Sequence, residues 1–289
     1  MATTASRTGD LAERLQVRQT TDRADLRAFL ERDRLFAAYA ICDLDDREFH
    51  RTRWGAAFEG DRILALAMEY VGYAPQPLFV MGEPDGVTAV LRGVIRPRAA
   101  YVASLPGHLP AIERVYRLGV GPPMVRMWVD RSTFAPAPGA VFRILPSEIG
   151  DLNRLYNLGF TAWLPSEAVS SGVYFGVRIG GRLIAAAGTH VVSPDARLAV
   201  VGNVMTHPDY RNRGLAKQVT SAVTQELLRT CDQVVLNVRS DNPPALAAYA
   251  ALGYREHLRF EERLAHRRIS SWDSIVAPLR RFFPPRKES

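Results

Sequence analysis

The sequence predicts an α/β fold of mixed sheets flanked by helices, laid out as two halves with the same element order. Strand-like apolar runs alternate with stretches of helical periodicity along nearly the whole chain. A break rich in proline, Phe134–Gly139, divides the chain near its middle, because paired prolines and glycine disfavour both helix and ladder. In the second half an apolar strand, a glycine-led helix and a nearly continuous apolar strand follow one another, the pattern of a parallel crossover unit.

Before the break, helical periodicity runs through Asp22–Leu44. Strands are expected at Trp54–Phe58, Ile63–Gly72 and Leu78–Met81, then a helix around Val87–Val94. A strand at Ala100–Ser104, a helix at Leu109–Leu118 and a strand at Met124–Val129 complete this half. After the break, Val141–Leu145 reads as a strand and Pro146–Leu158 as a helix, with a second short helix near Ser166–Val169. Strands follow at Tyr174–Ile179, Leu183–Val192 and Leu198–Thr206. A helix at Gly214–Thr230, a strand at Gln233–Val238, a helix at Pro243–Leu252 and a strand at Tyr254–Leu264 close the pattern. The shared order suggests a structural duplication without a residue-level repeat. The expected division is 1–135, 140–265 and a basic tail, 266–289.

Composition narrows the function classes. The chain has 289 residues, 47% hydrophobic and 23% charged, enough to build a sizeable core. No stretch approaches the ~20 apolar residues of a membrane span, and Met1–Arg14 lacks the apolar run of a secretory signal. Cys42 and Cys231 are far apart and make neither a disulfide framework nor a metal pattern, so a reducing, cytoplasmic compartment and no metal are expected. The net charge is +7, but residues 266–289 hold six basic and two acidic residues, so most of the excess sits in a short tail. Nucleic-acid binders need a basic stripe on a folded face, and a solubilising tail is the simpler reading. Lys217 and Lys287 are the only lysines among many arginines.

The stretch Val200–Lys217 carries the chemistry. An apolar strand runs into a turn marked by His207-Pro-Asp, and a helix begins near Gly214 with Leu215, Val219, Ala222, Val223 and Leu227 at helical spacing. A turn feeding a helix N-terminus exposes unpaired N–H groups and the positive end of the helix dipole, which suits phosphate. Gly214 admits close approach, small Ala216 avoids crowding, and Arg211, Arg213 and Lys217 add positive charge. The Arg-x-x-Gly-x-Ala spacing alone also suits an ordinary helix start; its partner downstream decides. That partner is Asp241–Tyr254, where Asn242 is a natural N-cap, Pro243 a natural first helical residue and Gly253 a natural stop. Taken alone, Tyr249 reads as a core tyrosine with a paired hydroxyl.

Together the two stretches resemble the GNAT superfamily of N-acetyltransferases. The matching positions are Pro208, Arg211, Gly214, Ala216, Asn242, Ala245, Tyr249, Gly253 and, in place of phenylalanine, Tyr254. The resemblance covers about residues 140–265. The first half is similar only in element order: its loop, Gly82-Glu-Pro-Asp-Gly-Val, lacks the motif and puts acids where phosphate would lie, so a degenerate half without cofactor is expected.

The resemblance implies acetyl-CoA as cosubstrate and transfer of its acetyl group to a primary amine of a small molecule or peptide. Val204, Met205 and Thr206 would hold the pantetheine arm through their backbone. Asn212, Arg213, Gly214, Leu215, Ala216 and Lys217, with Arg211, would hold the pyrophosphate. Asn242 would contact the arm, and Tyr249 would protonate the leaving thiolate. Many members keep a glutamate on the cofactor strand; here Asn203 stands in that stretch. His190, His207 or a water relay are the candidates for a base, with His207 read as an exposed loop histidine and His190 as an equal candidate for a strand-surface role. Thr161–Ser170, with Trp163, is expected to line the acceptor side. A homo-oligomer is allowed for. The competing readings are a non-catalytic acyl-CoA sensor and a nucleic-acid module that uses the tail.

Overall fold

A computed structural model describes residues 15–159 and 164–268. The first half contributes β1 (Gln16–Gln19), α1 (Arg23–Leu30), α2 (Ala38–Cys42), α3 (Asp46–Phe49), β2 (Thr52–Glu59), β3 (Arg62–Tyr70) and β4 (Gln76–Gly82). It continues with α4 (Pro84–Gly93), β5 (Ala99–Ser104), α5 (Leu109–Glu113), β6 (Tyr116–Leu118) and β7 (Met124–Val129). The second half contributes β8 (Phe142–Arg143), α6 (Ile149–Tyr156), α7 (Ser166–Ser171), β9 (Phe175–Ile179), β10 (Arg182–Ser193) and β11 (Leu198–Thr206). It ends with α8 (Leu215–Leu227), β12 (Gln233–Arg239), α9 (Pro243–Ala250) and β13 (Arg255–Arg267).

The strands join one mixed sheet in the order β1-β2-β3-β4-β5-β13-β7-β12-β11-β10-β9-β8, with β6 paired to β13. Each half runs antiparallel strands into a parallel pair bridged by a helix, β4–α4–β5 and β11–α8–β12. The strand that follows is exchanged between the halves. β7, which chain order assigns to 1–135, lies beside β12, with Trp128 opposite Val235. β13 pairs with β7 along Arg255–Phe260 and then with β5 along Glu261–His266. Met-Val-Arg-Met-Trp-Val in β7 is buried or half-buried along its whole length and apolar except for Arg126, as suits a strand at the centre of a covered sheet.

The two faces carry separate cores. On one, Val219, Val223 and Leu227 of α8 pack on Ala199, Val201, Val234 and Leu236. On the other, Leu26, Phe36 and Ile41 from the first half cover Leu198, Val200, Val235 and Phe260. Helices of the first half thus shield strands of the second. Each fully buried Leu, Ile or Val contributes roughly 1.5–3 kcal/mol of hydrophobic stabilisation.

Several expected elements differ. Asp22–Leu44 divides into α1, a 3-10 turn at Glu31–Asp33 and α2. The helix expected at Leu109–Leu118 stops at Glu113, and Tyr116–Leu118 is instead strand β6, held by Ala265–Arg267 far along the chain. Pro146–Glu148 is a 3-10 turn preceding α6. β1 and α3 carried no period long enough to detect. The break at Phe134–Gly139 is docked rather than loose: Ala135 N donates to Leu252 O at 3.0 Å, and Ala137 N to Ser221 Oγ at 2.9 Å.

Candidate active site

β11 and β12 are paired only from Leu198↔Gln233 to Val201↔Leu236. Beyond Val201, β11 stays with β10 and β12 stays with β7. Among the described residues, the edge of Gly202–Thr206 that faces β12 therefore has no ladder partner. Where parallel strands part at their carboxyl ends, an α/β sheet offers a crevice for a ligand. The strand is irregular here: Asn203 has φ 53°, the β10–β11 register slips between Ala186 and Gly188, and Tyr156 Oη donates to the Asn203 carbonyl at 2.7 Å. Of the expected backbone contacts, Val204 is half-buried toward α8 and Met205 is buried toward α6. Among the described residues, the buried Thr206 hydroxyl oxygen has no partner.

The turn after β11 has the form expected of an anion cradle. Pro208–Tyr210 makes one 3-10 turn, Arg211 is extended, and Asn212 and Gly214 both have positive φ, 60° and 74°. Gly214 opens α8 without a side-chain cap. Among the described residues, no protein group accepts from the N–H groups of Asn212–Lys217. Successive unpaired N–H groups at a helix start concentrate partial positive charge and bind phosphate oxygens. Arg211 and Arg213 are exposed, Lys217 and Leu215 half-buried, and the Arg213 guanidinium stacks 5.1 Å from the Tyr210 ring centre.

Asn242 caps α9, its side-chain oxygen accepting from Ala245 N at 3.4 Å. Tyr249 is buried in the cluster that includes Val204, Tyr210, Leu215 and Ala245. The expectation of a paired hydroxyl is corrected: among the described residues the Tyr249 hydroxyl has no hydrogen-bond partner, whereas neighbouring Tyr254 binds Thr224 Oγ1 at 2.7 Å. Burial pushes the Tyr249 phenol up to about 12, so it holds its proton.

Residues 145–254 match the Acetyltransferase (GNAT) family. Residues 145–254 are thus the part of the chain similar to a GNAT domain. A mycothiol acetyltransferase from Tsukamurella paurometabola is 27% identical, covering 72% of this chain and 86% of its own. A GCN5-related N-acetyltransferase from Sphaerobacter thermophilus has a similar fold, with TM-score 0.61, 15% identity and coverage of 88% and 96%. A tandem GNAT protein from the clavulanic acid biosynthesis pathway aligns with TM-score 0.54 and 14% identity, covering 89% of this chain and 99% of its own.

Of the two histidines, His207 differs from its sequence reading, whereas His190 lies on β10 with exposed surface, as a strand-surface residue would. His207 is not an exposed loop residue: it is 8% exposed, with Nε2 facing Arg182 Nη2 at 3.0 Å and Nδ1 facing Asp209 N at 3.3 Å. It braces the start of the turn. His190 Nε2 lies 3.1 Å from Asn203 Oδ1, and Nδ1 lies 2.5 Å from the hydroxyl of Tyr39. Sequence reasoning missed Tyr39, because no local pattern ties α2 to a strand 151 positions away. Thr161–Trp163 lies outside the described residues, as does 269–289.

In the first half, the turn from β4 into α4 is closely packed at Gly82. A Cβ at Gly82 would meet Leu64 O at 2.2 Å, and His108 Nε2–H donates to Gly82 O at 2.7 Å. Asp85 sits in the first turn of α4 and pairs with Arg114 at 2.8 Å, so a carboxylate already occupies the positive end of that helix. No described helix is long and apolar enough to cross a membrane.

Proposed function

We propose that this chain is an N-acetyltransferase that moves an acetyl group from acetyl-CoA to a primary amine. One observation carries the reading: a cluster of unpaired N–H groups, Asn212–Lys217, stands at the end of the strand whose edge is left open beside it. The residues fit the cosubstrate. The N–H groups of the turn, with Arg211, Arg213 and Lys217, suit a pyrophosphate. The open edge at Val204–Thr206 suits the amides of a pantetheine arm, and Asn242, whose Nδ2 is left over from capping, suits its middle. Acetyl-CoA would supply the activated thioester. The chain would supply a backbone N–H from the strand edge to the developing oxyanion and the Tyr249 proton to the sulfur. The acid-filled turn at Asp85 supports a first half that takes no cofactor.

The name of the Tsukamurella relative supports acetyl transfer as the reaction class. The acceptor is read only as an amine of a small molecule or peptide. Calorimetry with acetyl-CoA, followed by thiol release with a panel of primary amines, tests the proposal. Saturable binding plus amine-dependent release supports it; binding with no release on any amine would favour an acyl-CoA sensor, and no binding would refute both.

A further inference from the structure

Tyr39 is carried by the first half and His190 by the second, yet Tyr39 Oη and His190 Nδ1 are 2.5 Å apart. The surrounding bonds define where the protons are. Asn203 Nδ2 donates to Tyr174 Oη at 3.2 Å, and Tyr174 Oη donates to Thr189 O at 2.9 Å. That orientation leaves Asn203 Oδ1 facing His190 Nε2, so Nε2 carries the hydrogen and Nδ1 accepts from the Tyr39 hydroxyl. The Tyr39 oxygen keeps lone pairs for one more donor. The ring rests on Gly202, where a Cβ would come within 2.2 Å of Nε2. Glycine at that position is what admits the imidazole.

The pair also lies in the right place. Gly202 and Asn203 form the lip where β11 leaves β12. Tyr39 packs with Val200 and Val235 on the face covered by α1 and α2, whereas Tyr249 packs with Val201 on the face covered by α8. The two groups therefore flank the strand gap from opposite faces. His190 keeps exposed surface on β10.

We propose that Tyr39 and His190 form a hydroxyl–imidazole relay that takes the proton of the acceptor amine, an inference that rests on the acetyl-transfer reading. The amine nitrogen bonds to the thioester carbonyl carbon, and the carbon–sulfur bond breaks with its electron pair leaving on sulfur. The nitrogen's proton passes to the Tyr39 oxygen as the Tyr39 proton passes to His190 Nδ1, and Tyr249 protonates the sulfur. Solvent then takes the imidazolium proton and restores Tyr249. Tyr39 is the catalytic residue of the pair and His190 its positioning residue and proton store.

The groups around the pair keep both partners neutral beforehand. Burial holds the imidazole below its ordinary range, and burial lifts the Tyr39 phenol. Facing Tyr39 are Arg126 on β7, with its guanidinium 5.6 Å from the ring centre, Glu262 on β13, and Cys42 and Asp43 at the end of α2. Tyr174 and, through the Asn203 carbonyl, Tyr156 close the other side.

The test measures thiol release from acetyl-CoA with glycine, L-lysine, putrescine, tyramine or water as acceptor, across about pH 5 to 9. Tyr39→Phe and His190→Gln are each expected to lower kcat about a hundredfold while acetyl-CoA affinity and thermal unfolding stay as in the unmodified chain. The fall in kcat at low pH, which reports imidazole protonation, should disappear in His190→Gln. A structural role would lower the rate equally at every pH. Unchanged kcat in Tyr39→Phe, or the acid limb persisting in His190→Gln, overturns the relay. Unmodified protein that binds acetyl-CoA and releases no thiol with any acceptor instead overturns the acetyl-transfer reading on which the relay rests, in favour of an acyl-CoA sensor. Absence of acetyl-CoA binding overturns the acetyl-transfer reading itself.

Discussion

Gly253 ends α9 directly against Thr133, so that a Cβ at Gly253 would lie 1.8 Å from the Thr133 carbonyl oxygen. Its φ is 87°, in the left-handed range that favours glycine. A side chain here meets both backbone strain and a rigid obstacle. Gly180 has φ 57° and nothing within 4 Å, so it carries the conformational term alone. Gly253→Ala should destabilise by about 3 kcal/mol or more, and Gly180→Ala by about 1 kcal/mol. Urea unfolding of the two variants decides; equal losses would mean that the linker yields freely at Thr133.

Arg126 is 2% exposed and donates from Nη1 to Leu35 O at 2.9 Å and to Phe36 O at 3.1 Å. It thereby ties β7, which sits among strands of the second half, to the helices of the first. Arg126→Met keeps the apolar stem and removes the donors, leaving two carbonyls unsatisfied. The expected loss is about 2–4 kcal/mol, read from the urea midpoint at constant slope. A loss under about 1 kcal/mol would show that the carbonyls find other donors.

The parts legible in the sequence are those written in local chemistry. The strand, turn and helix of Val200–Lys217 follow from apolar runs and one glycine, and the second helix follows from Asn242, Pro243 and Gly253. The exchanged strands are different. β7 reads as a strand in isolation, but its neighbours are fixed by pairing with β12 and β13, which no period within β7 encodes. β6 has three residues and exists because Ala265–Arg267 pairs with it. His207 looked exposed because it lies in a turn; Arg182, across the β9–β10 hairpin end, covers it. Tyr39 escaped notice because its significance depends on a partner in the other half.

Gly214 offers a test of the cradle that separates conformation from crowding. A Cβ there meets nothing within 4 Å, so substitutions act through the φ of 74° alone. Valine resists left-handed backbone by about 1–2 kcal/mol, whereas asparagine tolerates it. Gly214→Val should therefore weaken acetyl-CoA binding about tenfold, and Gly214→Asn by less than about threefold. Calorimetric titration measures both. Identical affinities in the two variants would remove the turn from the binding site.

Among the described residues the Tyr249 hydroxyl has no hydrogen-bond partner, its ring lies in an apolar cluster, and burial keeps it protonated. Removing that oxygen takes away a proton donor and nothing else. Tyr249→Phe should lower kcat for thiol release about a hundredfold with little change in acetyl-CoA affinity. Steady-state kinetics with an active amine checks it; full turnover in a folded Tyr249→Phe protein would assign leaving-group protonation elsewhere.

Asp43 sets a pH dependence of stability that is separate from catalysis. The residue is 4% exposed, one carboxylate oxygen has no partner among the described residues, and burial, reinforced by Glu48 and Asp45, pushes its pKa up to about 8 from 3.8. The folded state therefore binds a proton that the unfolded chain has released at neutral pH, so the unfolded chain binds fewer protons between the two values. Stability from this group is complete below about pH 4 and declines as pH rises toward about 8, by several kcal/mol if no other group compensates. Asp43→Asn keeps the shape and cannot ionise. Urea unfolding at about pH 5.5 and pH 8 should show the unmodified protein losing stability at the higher pH and Asp43→Asn holding its own. A parallel decline in both proteins would place the titrating group elsewhere.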